Sequence, residues 1–188
     1  MKTRFLTKGL LTHKMEGHLV PSEMTQLVFR QIYDIIQPSS IVEIGFNAGH
    51  SAYMALIMLP DVKVHAIDIC THSYAETNAK KLEKMFPERF RFTKADSKDL
   101  LPHEVAGDVI FIDGDHSVKG FSSDLKLANE SGFDWILVDD YHSKWFRVII
   151  ELTAHFMKKP DFNYTLVRTW DYESRDGENT VALLRREK

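Results

Sequence analysis

The chain has 188 residues, 44% of them hydrophobic, which suits one domain with a single sizeable core. Its 24 basic and 27 acidic residues give a net charge of −3, which argues against a general attraction to nucleic acid or an anionic membrane. A lone cysteine, Cys70, excludes an internal disulfide framework and fits a reducing compartment.

The start, Met1 to Leu6, carries charge but lacks the long apolar run of a signal peptide. The apolar run from Ala52 to Leu59 stops at Pro60-Asp61, short of transmembrane length. The basic end, Arg185 to Lys188, is too short for a nucleic-acid arm. The expectation is a soluble, cytoplasmic protein with neither membrane nor nucleic-acid partner. No repeat, low-complexity tract or linker divides the sequence, so residues 1–188 are expected to form a single domain.

In chain order, Ser22 to Gln37 reads as an amphipathic helix, with Met24, Leu27, Val28, Ile32, Ile35 and Ile36 at helical spacing. Pro21 and Ser22 mark its start and Pro38 its end. A strand from Ile41 to Gly45 leads into a helix through Leu59. A second strand covers Lys63 to Asp68. Ser73-x-x-Glu76 has the form of a capping box for a helix to Phe86. Phe90 to Ala95 is the third strand, and Asp108 to Asp113 the fourth, with Val109 to Ile112 a buried-type run. A helix is expected over Phe121 to Asn129, a fifth strand over Trp135 to Asp139, and a helix over Ser143 to Met157. Tyr164 to Thr169 and Thr180 to Arg186 close the chain as strands. The connection between them, Trp170 to Asn179, has no helix, which predicts an antiparallel hairpin. Such alternation predicts an α/β fold, a mostly parallel seven-stranded sheet with helices on both faces. Ligands of these sheets bind beyond the carboxyl ends of the strands, where the polar residues of interest gather.

The first strand end reads Glu43-Ile44-Gly45-Phe46-Asn47-Ala48-Gly49-His50-Ser51. Two glycines let backbone approach a ligand, and the following helix would turn free N–H groups toward it. The spacing is E-x-G-x-x-x-G, unlike the G-x-G-x-x-G of a dinucleotide turn. Asp68 ends the second strand, where a carboxylate can accept from both ribose hydroxyls. That position does not separate an adenosine-bearing methyl donor from a nicotinamide cofactor. Asp96 and Ser97 follow the third strand, and either also suits a cap for a short helix at Lys98 to Leu101. The fourth and fifth strands end in Asp113-Gly114-Asp115-His116-Ser117 and Asp139-Asp140-Tyr141-His142. Neighbouring strands lie about 4.8 Å apart, so Asp113, Asp139 and Asp140 are expected to converge. Three crowded carboxylates repel unless a cation neutralises them or they take up protons. Oxygen donors favour a hard divalent ion such as magnesium, with calcium or manganese as alternatives. Asp115, Ser117 and Asp140 are equally suited to capping the helices that follow, and His116 to an exposed loop.

The E-x-G-x-x-x-G segment resembles the first motif of class I S-adenosylmethionine-dependent methyltransferases. Ile112-Asp113-Gly114-Asp115-His116-Ser117 and Val138-Asp139-Asp140-Tyr141, with Gly45 to Ser51 upstream, resemble metal-dependent O-methyltransferases related to catechol methyltransferases. They are closer still to the bacterial branch acting on sugars and antibiotic-type molecules. The similarity runs from about Glu16 to Glu151. It implies a Rossmann-like methyltransferase fold ending in an antiparallel hairpin. It implies S-adenosylmethionine held by Glu43, Gly45, Asn47, Gly49, Ser51, Asp68, Asp96, Ser97 and Asp113, with Glu43 bracing the loop and the methionine amine and Asp96 and Ser97 reaching the adenine. It implies a divalent metal, Mg2+, at Asp113, Asp139 and Asp140, and His116 as general base acting with Asp113. The catechol branch has Asp-Asn where this chain has Asp139-Asp140, which weakens any inference to a catechol.

The implied acceptor is a small molecule with a hydroxyl, of diol, sugar or catechol type. The N-terminal segment 1–21, particularly Met15 to Val20, and the segment Tyr141 to Trp145 are expected to border it. A homodimer would complete an otherwise open pocket. His142 is a spare candidate beside the strand-five acids, Trp135 a core residue, and Trp145 and Trp170 core or pocket residues. Three rivals stand beside this reading: a nicotinamide-dependent oxidoreductase, a metal-independent methyltransferase acting on nitrogen or carboxylate, and a non-catalytic donor-binding protein.

Overall fold

The structure, a computed structural model, describes residues 22–142, 147–174 and 177–187. The expected N-terminal border, Met15 to Val20, and Trp145 lie outside them. One sheet of seven strands runs through the molecule: β1 (Ser40–Ile44), β2 (Lys63–Asp68), β3 (Phe90–Lys94), β4 (Val109–Ile112), β5 (Trp135–Val138), β6 (Tyr164–Ser174) and β7 (Gly177–Arg186). Their order across the sheet is β3-β2-β1-β4-β5-β7-β6. The first five are parallel, and β7 runs antiparallel to both neighbours. The order reverses direction at β1, with β2 on one side and β4 on the other. In sheets with such a reversal, ligands bind at the carboxyl end of the strand where it occurs, here β1.

Alternation within each strand explains why both faces are covered. Ile41, Val109, Phe111 and Leu137 join one apolar cluster, and Val42, Ile110, Ile112, Ile136 and Val138 join the other. The first cluster packs under α1 (Glu23–Ile36), α2 (His50–Met58) and α3 (Ser73–Met85), and the second under α4 (Val118–Ser131) and α5 (Arg147–Phe156). Ser22 caps α1 by accepting the Thr25 amide at 3.1 Å, as its sequence position predicts. Among the described residues no helix is long and apolar enough to cross a membrane.

Four details differ from the expectations. The segment Trp170 to Glu173 is strand, so the hairpin is longer than predicted and pairs Ser174 with Gly177. Trp170 and Tyr172 are buried there against α1, with the Trp170 indole donating to Gln31 Oε1 at 3.1 Å. Helix α4 begins at Val118, three residues early, because Ser117 supplies the cap and accepts the Gly120 amide at 3.0 Å. The Ser73–Glu76 capping box does not form: His72 is the N-cap residue, and Glu76 pairs with Lys94 at 2.5 Å instead. Trp135 is only half-buried, its ring lying under the Arg185 guanidinium at 5.3 Å.

Candidate active site

Glu43, the last residue but one of β1, is almost fully buried, at 1% exposure. One carboxylate oxygen accepts the Ser51 hydroxyl, and the other has no hydrogen-bond partner. Burial pushes its pKa up to about 8, and the nearby charges of Asp68 and Asp139 add to the rise. A buried carboxylate oxygen left without a donor is costly, and a cationic ammonium is the group that relieves it. This is the observation by which the site fits an amino-acid-bearing cofactor.

The turn after β1 is built differently from its sequence reading. Gly45 and Gly49 both adopt left-handed backbone, at φ 93° and 83°. A Cβ on Gly45 would lie 1.9 Å from the Asp113 carbonyl oxygen, and one on Gly49 would lie 2.4 Å from the Phe46 ring. The missing side chains make room for protein atoms: they let the β1 turn cross β4 and let Phe46 fold beneath the turn. This packing role stands beside the expectation that the same turn faces a ligand. Asn47, at φ 47°, donates its amide to Asp68 Oδ2 at 2.7 Å. Asp68 Oδ1 accepts the Cys70 amide at 2.6 Å. Each carboxylate oxygen keeps a second lone pair, so Asp68 ties two loops together and still has acceptor capacity for ribose hydroxyls.

Past β3, Asp96 caps a 3-10 turn over Ser97–Asp99, accepting the Lys98 amide at 3.0 Å. The Ser97 hydroxyl donates to Asp124 Oδ1 at 2.6 Å. The Ser97 hydroxyl thus ties this turn to α4, and Asp96 serves as the cap that its residue type suggested. Asp124 is 1% exposed, its other oxygen has no hydrogen-bond partner, and burial raises its pKa to about 6.

A cluster of ionisable side chains lies at the ends of β4 and β5. The His116 Nε2 atom is 3.1 Å from Asp140 Oδ2 and 3.7 Å from Asp113 Oδ1. One ligand atom from each of Asp113, His116 and Asp140 lies within 4.8 Å of the others. All three side chains keep some exposure, at 32%, 22% and 17% in that order. Desolvation raises the Asp113 pKa well above the ordinary value, and the charges of Asp139 and Asp140 add to it. Crowding of this kind stores repulsion that a divalent cation relieves, so the two carboxylates fit such an ion, with the imidazole beside them.

Asp139 is placed otherwise. It is 6% exposed, and the Tyr172 hydroxyl lies 2.7 and 2.8 Å from its two oxygens. Asp115 turns away too, accepting the Ser117 amide at 2.9 Å and approaching Lys98 Nζ at 3.5 Å. His142 is exposed and stacks on Tyr141 with ring centroids 4.9 Å apart.

Four participants were not picked out from the sequence. Tyr74 donates to Asn47 Oδ1 at 2.7 Å and steadies the β1 turn. Tyr172 and Asn179 lie on the hairpin, in a segment read as a connection. Asp124 had a legible signal: Phe121, Asp124, Leu125 and Ala128 share one helical stripe, and an acid on an apolar stripe marks a buried polar contact.

The comparisons with known proteins agree with this architecture. A candidate O-methyltransferase from Klebsiella pneumoniae superposes with a TM-score of 0.70 at 16% identity, over 96% of this chain and 84% of that one. An S-adenosylhomocysteine-bound methyltransferase from Podospora anserina gives 0.66 at 15% identity, over 90% and 80%. A candidate RNA methyltransferase from Pyrococcus horikoshii gives 0.62 at 13% identity, over 86% and 79%. A search of curated proteins found no match. A family model described as a methyltransferase domain matches residues 42–141, the span from β1 to the acids after β5, and the chain therefore belongs to the class I S-adenosylmethionine-dependent methyltransferases.

Proposed function

We propose that this methyltransferase acts on a hydroxyl oxygen of a small-molecule acceptor, of diol, sugar or catechol type, with help from a divalent metal. The observation that carries the reading is the Asp113–His116–Asp140 cluster, one strand away from the donor turn at Glu43 and Gly45. S-adenosylmethionine supplies an electrophilic methyl on sulfur, and a divalent ion supplies a Lewis acid that lowers the pKa of an acceptor hydroxyl and helps orient it.

The residues have distinct tasks. Glu43 presents its orphaned oxygen to the donor's ammonium, and Asp68 presents spare lone pairs to its ribose. Asp113 and Asp140 would hold the ion, together with acceptor oxygens and water, which is a common magnesium arrangement. His116 takes the proton as the acceptor oxygen forms its bond to carbon and the carbon–sulfur bond breaks. Asp140, 3.1 Å from its Nε2, stabilises the imidazolium so formed. A net charge of −3 supports a small acceptor over RNA.

The same 3.1 Å contact favours a second reading, in which a positively charged His116 pairs with Asp140, Asp113 takes up a proton, and no metal is needed. Isotope-labelled donor, an acceptor panel of sugars, catechols and polyketide-like diols, and product mass spectrometry separate the two. The metal reading expects a labelled ether that disappears with a chelator and in Asp113→Ala. Full activity under both conditions would overturn it and leave the metal-free transferase.

A further inference from the structure

Asp124 is a buried acid outside the Asp113–His116–Asp140 cluster. It lies on α4 at 1% exposure, and its Oδ1 accepts the Ser97 hydroxyl at 2.6 Å. Its Oδ2 is covered and has no hydrogen-bond partner, and a Cβ on Gly114 would meet it at 3.4 Å. Shielded in this way, Asp124 can reach a ligand only through Ser97. Ser97 sits half-buried on the turn after β3, and its hydroxyl holds one proton. A carboxylate has no proton to give, so Ser97 must donate to Asp124. The Ser97 oxygen is then left with lone pairs alone to offer a ligand. The acid also interrupts the apolar stripe of Phe121, Leu125 and Ala128, and a covered carboxylate oxygen without a donor is costly there. A task in orienting Ser97 accounts for that cost.

The parts of the donor have a fixed order along the strand ends. Glu43 on β1 suits its ammonium, and Asp68 at the end of β2 suits its ribose. The methionyl arm and the base leave the ribose at opposite ends. With β3 next to β2 in the sheet, the base falls toward the turn after β3, where Ser97 stands. We infer that Asp124 is a positioning residue that holds the Ser97 hydroxyl as a pure hydrogen-bond acceptor, selecting a donor whose base carries the 6-amino group of adenine over a 6-oxo purine. The inference rests on reading Glu43 and Asp68 as the donor site and is independent of the metal. An exocyclic amine gives a proton to the Ser97 oxygen, whereas a 6-oxo group meets it lone pair to lone pair.

The test is calorimetric affinity for S-adenosylhomocysteine and for S-inosylhomocysteine, its 6-oxo analogue. Both are measured on the full chain at about pH 8, where Asp124 is ionised. The parent is expected to prefer the adenine compound by about a hundredfold or more. Asp124→Asn offers Ser97 an amide proton and so frees the hydroxyl proton for the ligand. The preference is then expected to fall about tenfold or more, with the 6-oxo compound gaining affinity. Ser97→Ala should reduce the preference by a similar factor, and adding Asp124→Asn to it should change the ratio no further, because the acid acts through the hydroxyl. A merely structural role would weaken both compounds alike and leave the ratio at its parental value. That result, or a parent that binds the two compounds equally, overturns the assignment. If the parent binds neither, the donor reading of Glu43 and Asp68 fails, an outcome distinct from both.

Discussion

Gly45 lies so close beneath Asp113 that a Cβ would sit 1.9 Å from the Asp113 carbonyl oxygen. The turn after β1 and the acid at the end of β4 are thus held at contact by a missing methyl group. Gly45→Ala must move one strand end or the other, and it also places a side chain at φ 93°. The expected result is a loss of about 3 kcal/mol of stability or more, seen in chemical denaturation, together with loss of donor binding by calorimetry. A variant with parental stability and affinity would contradict the packing described for β1 and β4.

Glu43 makes the ligand-free chain less stable as pH rises. Its folded pKa of about 8 lies above the ordinary carboxyl value, so the folded chain holds the proton more tightly than the unfolded chain does. The contribution is complete below the unfolded value, about pH 4.5, and is lost as pH rises through the folded value. Asp124, raised to about 6, and Asp139, raised to about 7, act in the same direction. Melting temperature without donor should fall between about pH 5 and pH 8.5, and Glu43→Gln should flatten that slope. The neutral variant should be more stable than the parent at the alkaline end by a few kcal/mol, an order-of-magnitude figure, while binding donor more weakly. An unchanged slope would show that Glu43 keeps an ordinary pKa.

Ser97 and Asp124 join the loop after β3 to helix α4. Ser97→Ala removes the one hydrogen bond that Asp124 receives in the structure and leaves a buried carboxyl without a donor. A cost of about 1–3 kcal/mol is expected, measurable by urea denaturation at neutral pH. Asp124→Asn combined with Ser97→Ala should recover part of it, because the uncompensated charge is gone. Losses that simply add in the double variant would show that the two side chains are not coupled.

His116 should matter to turnover and little to donor affinity. His116→Gln is expected to lower kcat about 100-fold or more, with S-adenosylhomocysteine affinity within about threefold of the parent. A variant that keeps the parental rate would remove His116 as the base.

Much of this molecule was legible before any coordinates. The strand runs Ile41–Ile44 and Val109–Ile112 are apolar at every position but Glu43, and that pattern fits burial on both faces. The acids at strand ends followed from the same reading, because parallel strands bring their carboxyl ends to one edge. The hairpin was less legible. Trp170 to Glu173 mixes aromatic and acidic residues, and its strand character comes from pairing with β7 over a register the local sequence does not encode.

The sequence by itself determined the order of elements, the family and the positions of the acids, since apolar periodicity and motif spacing are local properties. Only the tertiary structure decided which of those acids face one another. Asp139 and Asp140 are adjacent in the chain, yet one is bound by Tyr172 from 33 residues away and the other, at φ 53°, meets His116. That partition depends on long-range hydrogen-bond direction and on burial, and neither is written in the spacing of residues along a strand.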